Sequence, residues 1–452
     1  MNNFSRIGRH AVSVLVGQLA VVGFGVVDNA IAGHIDKTAL AALSLGIAIS
    51  LSIFVGLMGV VQAVLPITGQ LYGAKRYTDI GYQFRQSLYL AAGVCVVGIT
   101  LLLFPDPLLH LAQVDPDKEA LVRNYLSTLA IGFVPSIFFR IYASLSQAIS
   151  RPWFVTMLQM VGLVIKVPLA WFLAIHMDMG ITGCALSTVI LNTFFMIVAI
   201  GVMTRHPAYR ILELFKCFNL PSWASLKDLL KLGIPMGLSY FIEVTGTTFM
   251  AILIARFHSD AFSAGHQIVA QIGSLVYMIP LSISIAGSAV AAQYIGARNL
   301  VEARAAGNCS IFMSIACASM AGLIAFTFRY QITGAFTNDA DVLAVAASLV
   351  IFIAIYQIAD ATQVTTAFIL RAYKIAILPT VLYAFSLWGI GILGGYIIAF
   401  NVTGASPQML QGPAGFWLGN SISLGFLALA LVWLYNVVSR KRIEEANALH
   451  PV

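Results

Sequence analysis

Twelve apolar runs recur along the chain, centred near residues 20, 52, 95, 130, 163, 192, 244, 276, 318, 357, 388 and 425. About 20 apolar residues suffice to cross a bilayer as a helix. The pattern therefore predicts an all-α integral membrane protein of twelve transmembrane helices and leaves no length for a soluble domain. The first run has no small-residue cleavage site and is too long for a signal peptide, so it is expected to remain as a span.

The twelve runs fall into two sets of six. After the second run stands Gly69-Gln70-Leu71-Tyr72-Gly73-Ala74-Lys75-Arg76, and after the eighth stands Ala292-Gln293-Tyr294-Ile295-Gly296-Ala297-Arg298-Asn299. Gln70 and Gln293 are 223 residues apart, and Gly, Ala and a base recur at the same offset. A second echo is Gly180-x-x-Gly183 at the sixth run and Gly412-x-x-Gly415 at the twelfth. Six spans is an even number, so both halves insert the same way up, related by a pseudo-twofold axis along the membrane normal. The expected organisation is a first lobe over residues 1–204, a linker over 205–231 and a second lobe over 232–452. Within the linker, Ser225-Leu226-Lys227-Asp228 fits a helix-capping box, which predicts an interfacial helix leading into the seventh span.

Composition and charge sharpen this picture. Of 452 residues 60% are hydrophobic and 10% charged, where a soluble domain has about 25% charged. Placing both termini and the even-numbered loops on one side collects 19 of the 25 Lys and Arg residues there. The other side holds Lys37, Lys118, Arg123, Arg256 and Arg329, and Lys166 lies inside a span. The positive-inside rule then makes both termini cytoplasmic. The net charge of +7 is topological and calls for no nucleic-acid partner. Cys95, Cys184, Cys217, Cys309 and Cys317 show neither metal-ligand nor disulfide spacing and read as small buried hydrophobes. No P-loop, HExxH or GxSxG motif is present, so the chain is read as no enzyme, without an ATP drive and without a cofactor.

Four ionisable residues sit well inside spans: Asp28, Lys166, Glu243 and Asp360. A charge at the bilayer centre costs about 2.5–3.5 kcal/mol on insertion scales, so such residues are functional candidates. Counted at about 1.5 Å per helical residue, Glu243 and Asp360 lie at a similar mid-depth. Two neighbouring carboxylates in low dielectric call for a proton or Na⁺. Tyr356 and Thr247 lie one helical turn away on the same faces and can add neutral ligands. The plainer reading is that each carboxylate only hydrogen-bonds to adjacent helices. Asp28 and Lys166 fall in the same half of the first lobe. Either they form a locked ion pair or Lys166 competes with a proton or cationic substrate for Asp28. Tyr240, Tyr277 and their aromatic neighbours suit organic cations through cation–π contact, or simply face lipid. His266 and Gln267, early in the eighth span, read more plainly as scaffold. Asp339, in an acidic loop, can attract cations to a cavity mouth or merely form a solvated turn.

These segments resemble the multidrug and toxic compound extrusion (MATE) family, in its NorM-like bacterial branch. The likeness rests on Val26-Val27-Asp28-Asn29-Ala30-Ile31-Ala32-Gly33, on Gln70-Leu71-Tyr72-Gly73-Ala74, and on Gly237-Leu238-Ser239-Tyr240-Phe241-Ile242-Glu243. It continues through His266-Gln267, Tyr277-Met278-Ile279-Pro280, Ala359-Asp360-Ala361-Thr362-Gln363 and Leu370-Arg371-Ala372-Tyr373-Lys374. The resemblance implies a monomeric twelve-helix exporter of two six-helix lobes in the bacterial inner membrane. It implies exchange of amphipathic organic cations for Na⁺ or H⁺ by alternating access. On that likeness Glu243 and Asp360 match the second-lobe cation site, as ligands of Na⁺ if a metal ion is used. Asp28 matches the first-lobe acidic residue, Gln363 falls with the cavity residues, and Asp339 falls where a loop acid is thought to touch substrate. The chain departs from the family in Lys166-Val167-Pro168-Leu169-Ala170, where members commonly carry two Asn residues, and in Thr247, where some carry a glutamate. A lysine beside Asp28 argues against Na⁺ in the first lobe. The alternative is a flippase of lipid-linked precursors from the wider superfamily, which needs a cationic cavity.

Overall fold

The computed structural model describes residues 2–35, 37–111, 116–216 and 219–449, and among them every regular element is helical. The first half contains α1 (Asn3–Ile35), α2 (Lys37–Val61), α3 (Val64–Gly73), α4 (Tyr77–Leu103), α5 (Asp106–Leu111), α6 (Pro116–Ile131), α7 (Phe133–Ala148), α8 (Trp153–Trp171), α9 (Gly180–Arg205) and α10 (Pro207–Arg210). The second contains α11 (Trp223–Ala255), α12 (Asp260–Gly296), α13 (Leu300–Thr327), α14 (Arg329–Gly334), α15 (Ala340–Ala372), α16 (Ile377–Ala384), α17 (Gly394–Ala399) and α18 (Pro413–Leu449). Eleven helices among the described residues are long and apolar enough to span a membrane. Lys118–Ile131 and Phe133–Ala148, bent by 51°, make a twelfth when taken together. The bend falls at Gly132, where a Cβ would lie 3.2 Å from the Val189 Cα.

The duplication read from sequence is visible as repeated geometry. At the end of α3, Ala74 N bonds to Gln70 O, Lys75 N to Tyr72 O and Arg76 N to Leu71 O; at the end of α12, Ala297, Arg298 and Asn299 bond to Gln293, Ile295 and Tyr294 in the same way. Lys75 and Arg298 take left-handed φ of 59° and 60°. The same turn recurs after α7 and α15, where Ser150 and Lys374 are left-handed at 59° and 62°, and there Ser150 N bonds to Gln147 O as Lys374 N bonds to Arg371 O. The paired Gly-x-x-Gly motifs also do one job twice. A Cβ on Gly183 would lie 2.6 Å from Ala174 N, and one on Gly415 would lie 2.7 Å from Ala399 N. Each glycine lets the next span begin against the backbone end of the previous one. Both of those previous spans contain a widened π-helical stretch, Phe172–His176 and Phe385–Leu393.

Packing divides the chain into two lobes at boundaries that differ from the expected ones. The N-lobe is Ser13–Leu238, and the C-lobe is Ser239–Val452 together with Met1–Val12. The first turns of α1 join the C-lobe because Ile7 and Ala11 are buried against Ile283, Ala286, Val290, Ala306 and Met313. Polar contacts reinforce them: Tyr294 Oη donates to Asn3 Oδ1 at 2.9 Å, Asn3 Nδ2 to Glu302 Oε2 at 3.1 Å, and Arg6 bonds to Gln293. The linker also differs from expectation. Helix α11 runs unbroken from Trp223, so Ser225 lies inside it, with its hydroxyl towards Tyr82 Oη and not in a cap. The expected interfacial helix is the first turns of the seventh span. Cys217, in this loop, lies outside the described residues.

The early part of α11 belongs to the N-lobe through a small-residue contact. A Cβ on Gly233 would lie 2.3 Å from Val60 O, and one on Gly237 would lie 2.4 Å from Gly56 O. Two glycines one turn apart allow such backbone approach, the usual way membrane helices gain contact without a hydrophobic drive. Gly237→Leu should therefore cost roughly 1–3 kcal/mol by overpacking, seen as a lower thermal transition of the purified protein in detergent. Gly93→Ala, which meets nothing within 4 Å, is the control and should leave the transition unchanged or slightly higher.

Candidate functional site

In the N-lobe, α8 carries Lys166, wholly buried, and α1 carries Asp28, also buried. Their charges meet at 2.8 Å between Nζ and Oδ1. Lys166 Nζ also donates to Cys184 O at 3.2 Å, Ser187 Oγ at 2.8 Å and Thr188 Oγ1 at 2.7 Å, all on α9. An ammonium has three donors, so those three acceptors use them, and Asp28 serves as counter-ion. The ion pair is formed in this structure, a contact common to both readings open in the sequence. The elements around it are set locally. Pro168 removes a backbone donor in α8, and the helix then widens so that Met177 N bonds to Phe172 O at 2.9 Å. Such widened turns are frequent at functional sites.

In the C-lobe, α11 presents Tyr240 and Glu243 three residues apart, hence on one face. They line a cavity with Ser239, Tyr277 of α12, Gln363, Phe368 and Arg371 of α15, and Thr380 and Tyr383 of α16. Its depth is fixed by side-chain bonds between helices. Ser239 Oγ and Thr380 Oγ1 lie 2.7 Å apart, Ser284 Oγ and Thr365 Oγ1 2.9 Å apart, and Ser288 Oγ donates to Phe368 O at 2.8 Å. Gly246, one turn beyond Glu243, admits Leu387 of the widened stretch, whose Cδ2 would lie 2.7 Å from a Cβ there. Asp360 is buried behind Gln363, whose Nε2 donates to Asp360 Oδ1 at 3.1 Å. Glu243 and Asp360 lie within electrostatic reach of each other, and both act on Tyr277, Tyr356 and Tyr383. The cavity leaves about 30 Å³ open to the centre of a water molecule, where about 10–15 Å³ suffices for one. A drug-sized ligand needs about 300–1,000 Å³. This is room for an ion or one or two waters. Among the described residues no group of three or more His, Cys, Asp or Glu side chains is placed to hold a metal ion. A Na⁺ ion here would have only Glu243 and Asp360 as charged ligands and would depend on neutral oxygens for the rest. Phenol, amide and hydroxyl oxygens line the cavity, and that hard donor set fits Na⁺ as it fits a proton.

A model of the MatE family matches residues 14–172 and 235–397, a segment in each half. The chain belongs to the MatE family. It is 36% identical over 443 residues to a probable multidrug resistance protein NorM of Aromatoleum aromaticum, covering 96% of this chain and 94% of the relative. It is 28% identical to the multidrug resistance protein MdtK of Yersinia pseudotuberculosis, covering 93% of each. The fold matches a crystal structure of a eukaryotic MATE transporter at a TM-score of 0.87 and 19% identity, covering 98% of this chain and 100% of that one. It matches an outward-facing multidrug resistance MATE transporter at 0.89 and 16% identity, covering 98% and 97%. The two-lobe helical architecture is thus that of the MatE family.

The remaining predicted residues of this MatE chain are placed unequally. Tyr356 does not line the cavity; its ring packs 5.5 Å from Trp417, one turn from Asp360. Thr247 is exposed, and its hydroxyl is spent on the carbonyls of Glu243 and Val244 at 3.1 and 3.0 Å. It is not among the residues that line the cavity, and a helical threonine readily bonds back to its own turn in this way. His266 is buried with its ring 5.9 Å from Trp417, and Gln267 is exposed. Asp339 caps α15, its Oδ1 accepting from Asp341 N at 2.9 Å and Val342 N at 3.1 Å. Sequence reasoning missed Arg371 and Tyr383. Arg371 stood in a quoted motif but was counted as a topological charge at a helix end. Tyr383 has no signal beyond being aromatic in an apolar run. The Asp28–Lys166 pair gives a direct test. Lys166→Met leaves a buried carboxylate without a partner and should destabilise by about 3–5 kcal/mol. Asp28→Asn combined with Lys166→Met should recover most of that loss in thermal unfolding, and additive losses would show that the two charges are not coupled.

Proposed function

We propose that this protein is a secondary active multidrug efflux antiporter that exports amphipathic organic cations in exchange for Na⁺ or H⁺ taken up at Glu243 and Asp360. Membership of the MatE family and relatives named as multidrug resistance proteins support the transport class. The observation that carries the site is the C-lobe cavity, sized for an ion, where Glu243 stands among phenol and amide groups and interacts with Asp360 buried behind Gln363. Coupling requires only that cation and exported substrate prefer different conformations, or compete for the same charge. A cation that neutralises Glu243 and Asp360 lowers the penalty of a desolvated, closed C-lobe site, and its loss raises that penalty again. The cycle therefore runs on the electrostatics of one lobe. Tyr240, Tyr277 and Gln363 orient the occupant, Tyr356 supports Asp360 from behind, and the Asp28–Lys166 pair acts as a fixed neutral strut. The protein works as a monomer in the bacterial inner membrane with both termini cytoplasmic, as the excess of Lys and Arg on that side supports.

A flippase of lipid-linked precursors would need free cationic groups for a pyrophosphate. The donors of Lys166 are all engaged within its own lobe, which favours the exporter. Dye efflux from proteoliposomes under separately imposed Na⁺ and proton gradients tests the reading. Glu243→Gln should abolish gradient-driven efflux while the protein still purifies as a folded monomer, and Thr247→Val should retain it. Undiminished gradient-driven efflux in Glu243→Gln would remove the carboxylates from the mechanism.

A further inference from the structure

The cavity has one charged member that the coupling scheme does not yet use. Arg371 is 7% exposed, deep for an arginine in the last turn of a membrane helix. Its guanidinium carbon lies 4.4 Å from the centre of the Phe368 ring and 5.6 Å from that of Tyr240. Nη1 is fully buried and, among the described residues, has no hydrogen-bond partner. The side chain lines the same cavity as Glu243, and its charge acts on both Glu243 and Tyr277. A buried, incompletely bonded guanidinium is costly unless its charge is used.

Two simpler explanations fail. Arginine near a helix C-terminus often serves the helix dipole or snorkels to the membrane surface. Lys374, three residues on, is exposed and already occupies that role, whereas Arg371 is covered by two aromatic rings. Nor does the turn require a base. In the repeated turn of the N-lobe the matching position is Gln147, whose carbonyl accepts from Ser150 N as that of Arg371 accepts from Lys374 N. The turn is the same with a neutral side chain. Among the described residues the N-lobe has one buried acid, Asp28, which Lys166 balances, whereas Glu243 and Asp360 in the C-lobe are two acids to balance.

We propose that Arg371 is a built-in counter-cation that cancels one of the two carboxylate charges of Glu243 and Asp360, so that the cavity accepts a single positive charge per transport cycle. The inference rests on the reading that these carboxylates bind the coupling cation. With Arg371 present the empty cavity and the Asp360 behind it hold one net negative charge, and one Na⁺ or one proton makes the site neutral. Facing groups are the hydroxyls of Tyr240, Tyr277 and Tyr383 and the amide of Gln363, all neutral, so none changes this count. Arg371 also limits how tightly the cation is held, because repulsion between the guanidinium and the incoming charge favours release.

The test counts charge on the full-length protein in liposomes, summing ²²Na⁺ bound and protons taken up. Wild type should take up one positive charge per protein. Arg371→Met and Arg371→Gln should take up two, or bind the first at least about tenfold more tightly, with slower turnover under either gradient. Arg371→Lys should behave as wild type. Two charges bound by wild type would overturn the proposal even if no Arg371 variant folded. So would wild-type stoichiometry and affinity in Arg371→Met or Arg371→Gln while Glu243→Gln still abolishes uptake, an outcome that leaves the carboxylate site standing. Undiminished uptake in Glu243→Gln would instead sink the site itself.

Discussion

A charge in hydrocarbon must be answered by another charge or by enough dipoles, because there is no water to do it. That constraint shapes both lobes. In the N-lobe the answer lies close at hand: Asp28 is counter-ion to Lys166 at 2.8 Å, and the three donors of Lys166 are met by acceptors on α9. In the C-lobe the carboxylate of Glu243 shares a cavity with neutral phenols, amides and hydroxyls and with Arg371, and Asp360 lies behind Gln363 of that cavity's wall. The two lobes thus put the same physics to opposite ends, one closing a charge circuit and the other leaving it open.

The scaffolds under these sites are nearly the same. The turn at Lys75 is repeated at Arg298, and the contact of Gly183 with Ala174 is repeated by Gly415 with Ala399. Backbone geometry was conserved across the duplication within this one chain, while the buried side chains diverged. Gln147 stands at the position that Arg371 holds in the other lobe, and the widened stretch Phe385–Leu393 carries no charged residue to match Lys166.

Much of this was legible in the residues. Apolar runs fix the spans because length and hydrophobicity alone decide crossing, and the Gln–Gly–Ala–base echo marks the repeat because turn chemistry is local. Depth counting paired Glu243 with Asp360, since helix rise is constant, and the two do lie within electrostatic reach of each other. What stayed hidden depends on contacts between helices. Thr247 and Glu243 share a turn, yet the threonine hydroxyl bonds backward to its own helix. Arg371 read as a boundary charge, since its contacts with the rings of Phe368 on its own helix and Tyr240 on α11 appear only in the folded chain. The attachment of Ile7 and Ala11 to Ala286 and Val290 joins residues almost 300 positions apart, and no periodicity announces it.

The left-handed turns carry a further consequence. Three of the four hold a base at the strained position, Lys75, Arg298 and Lys374, with φ near 60°. Glycine would adopt that backbone freely, whereas an L side chain loses about 1–2 kcal/mol there. In the proposed orientation the bases at these sites also belong to the cytoplasmic set that tells the membrane which way up each hairpin goes. Orientation and stability therefore pull against each other at the same three residues. A drift to glycine would relax the fold and at the same time erase part of the chain's sense of direction.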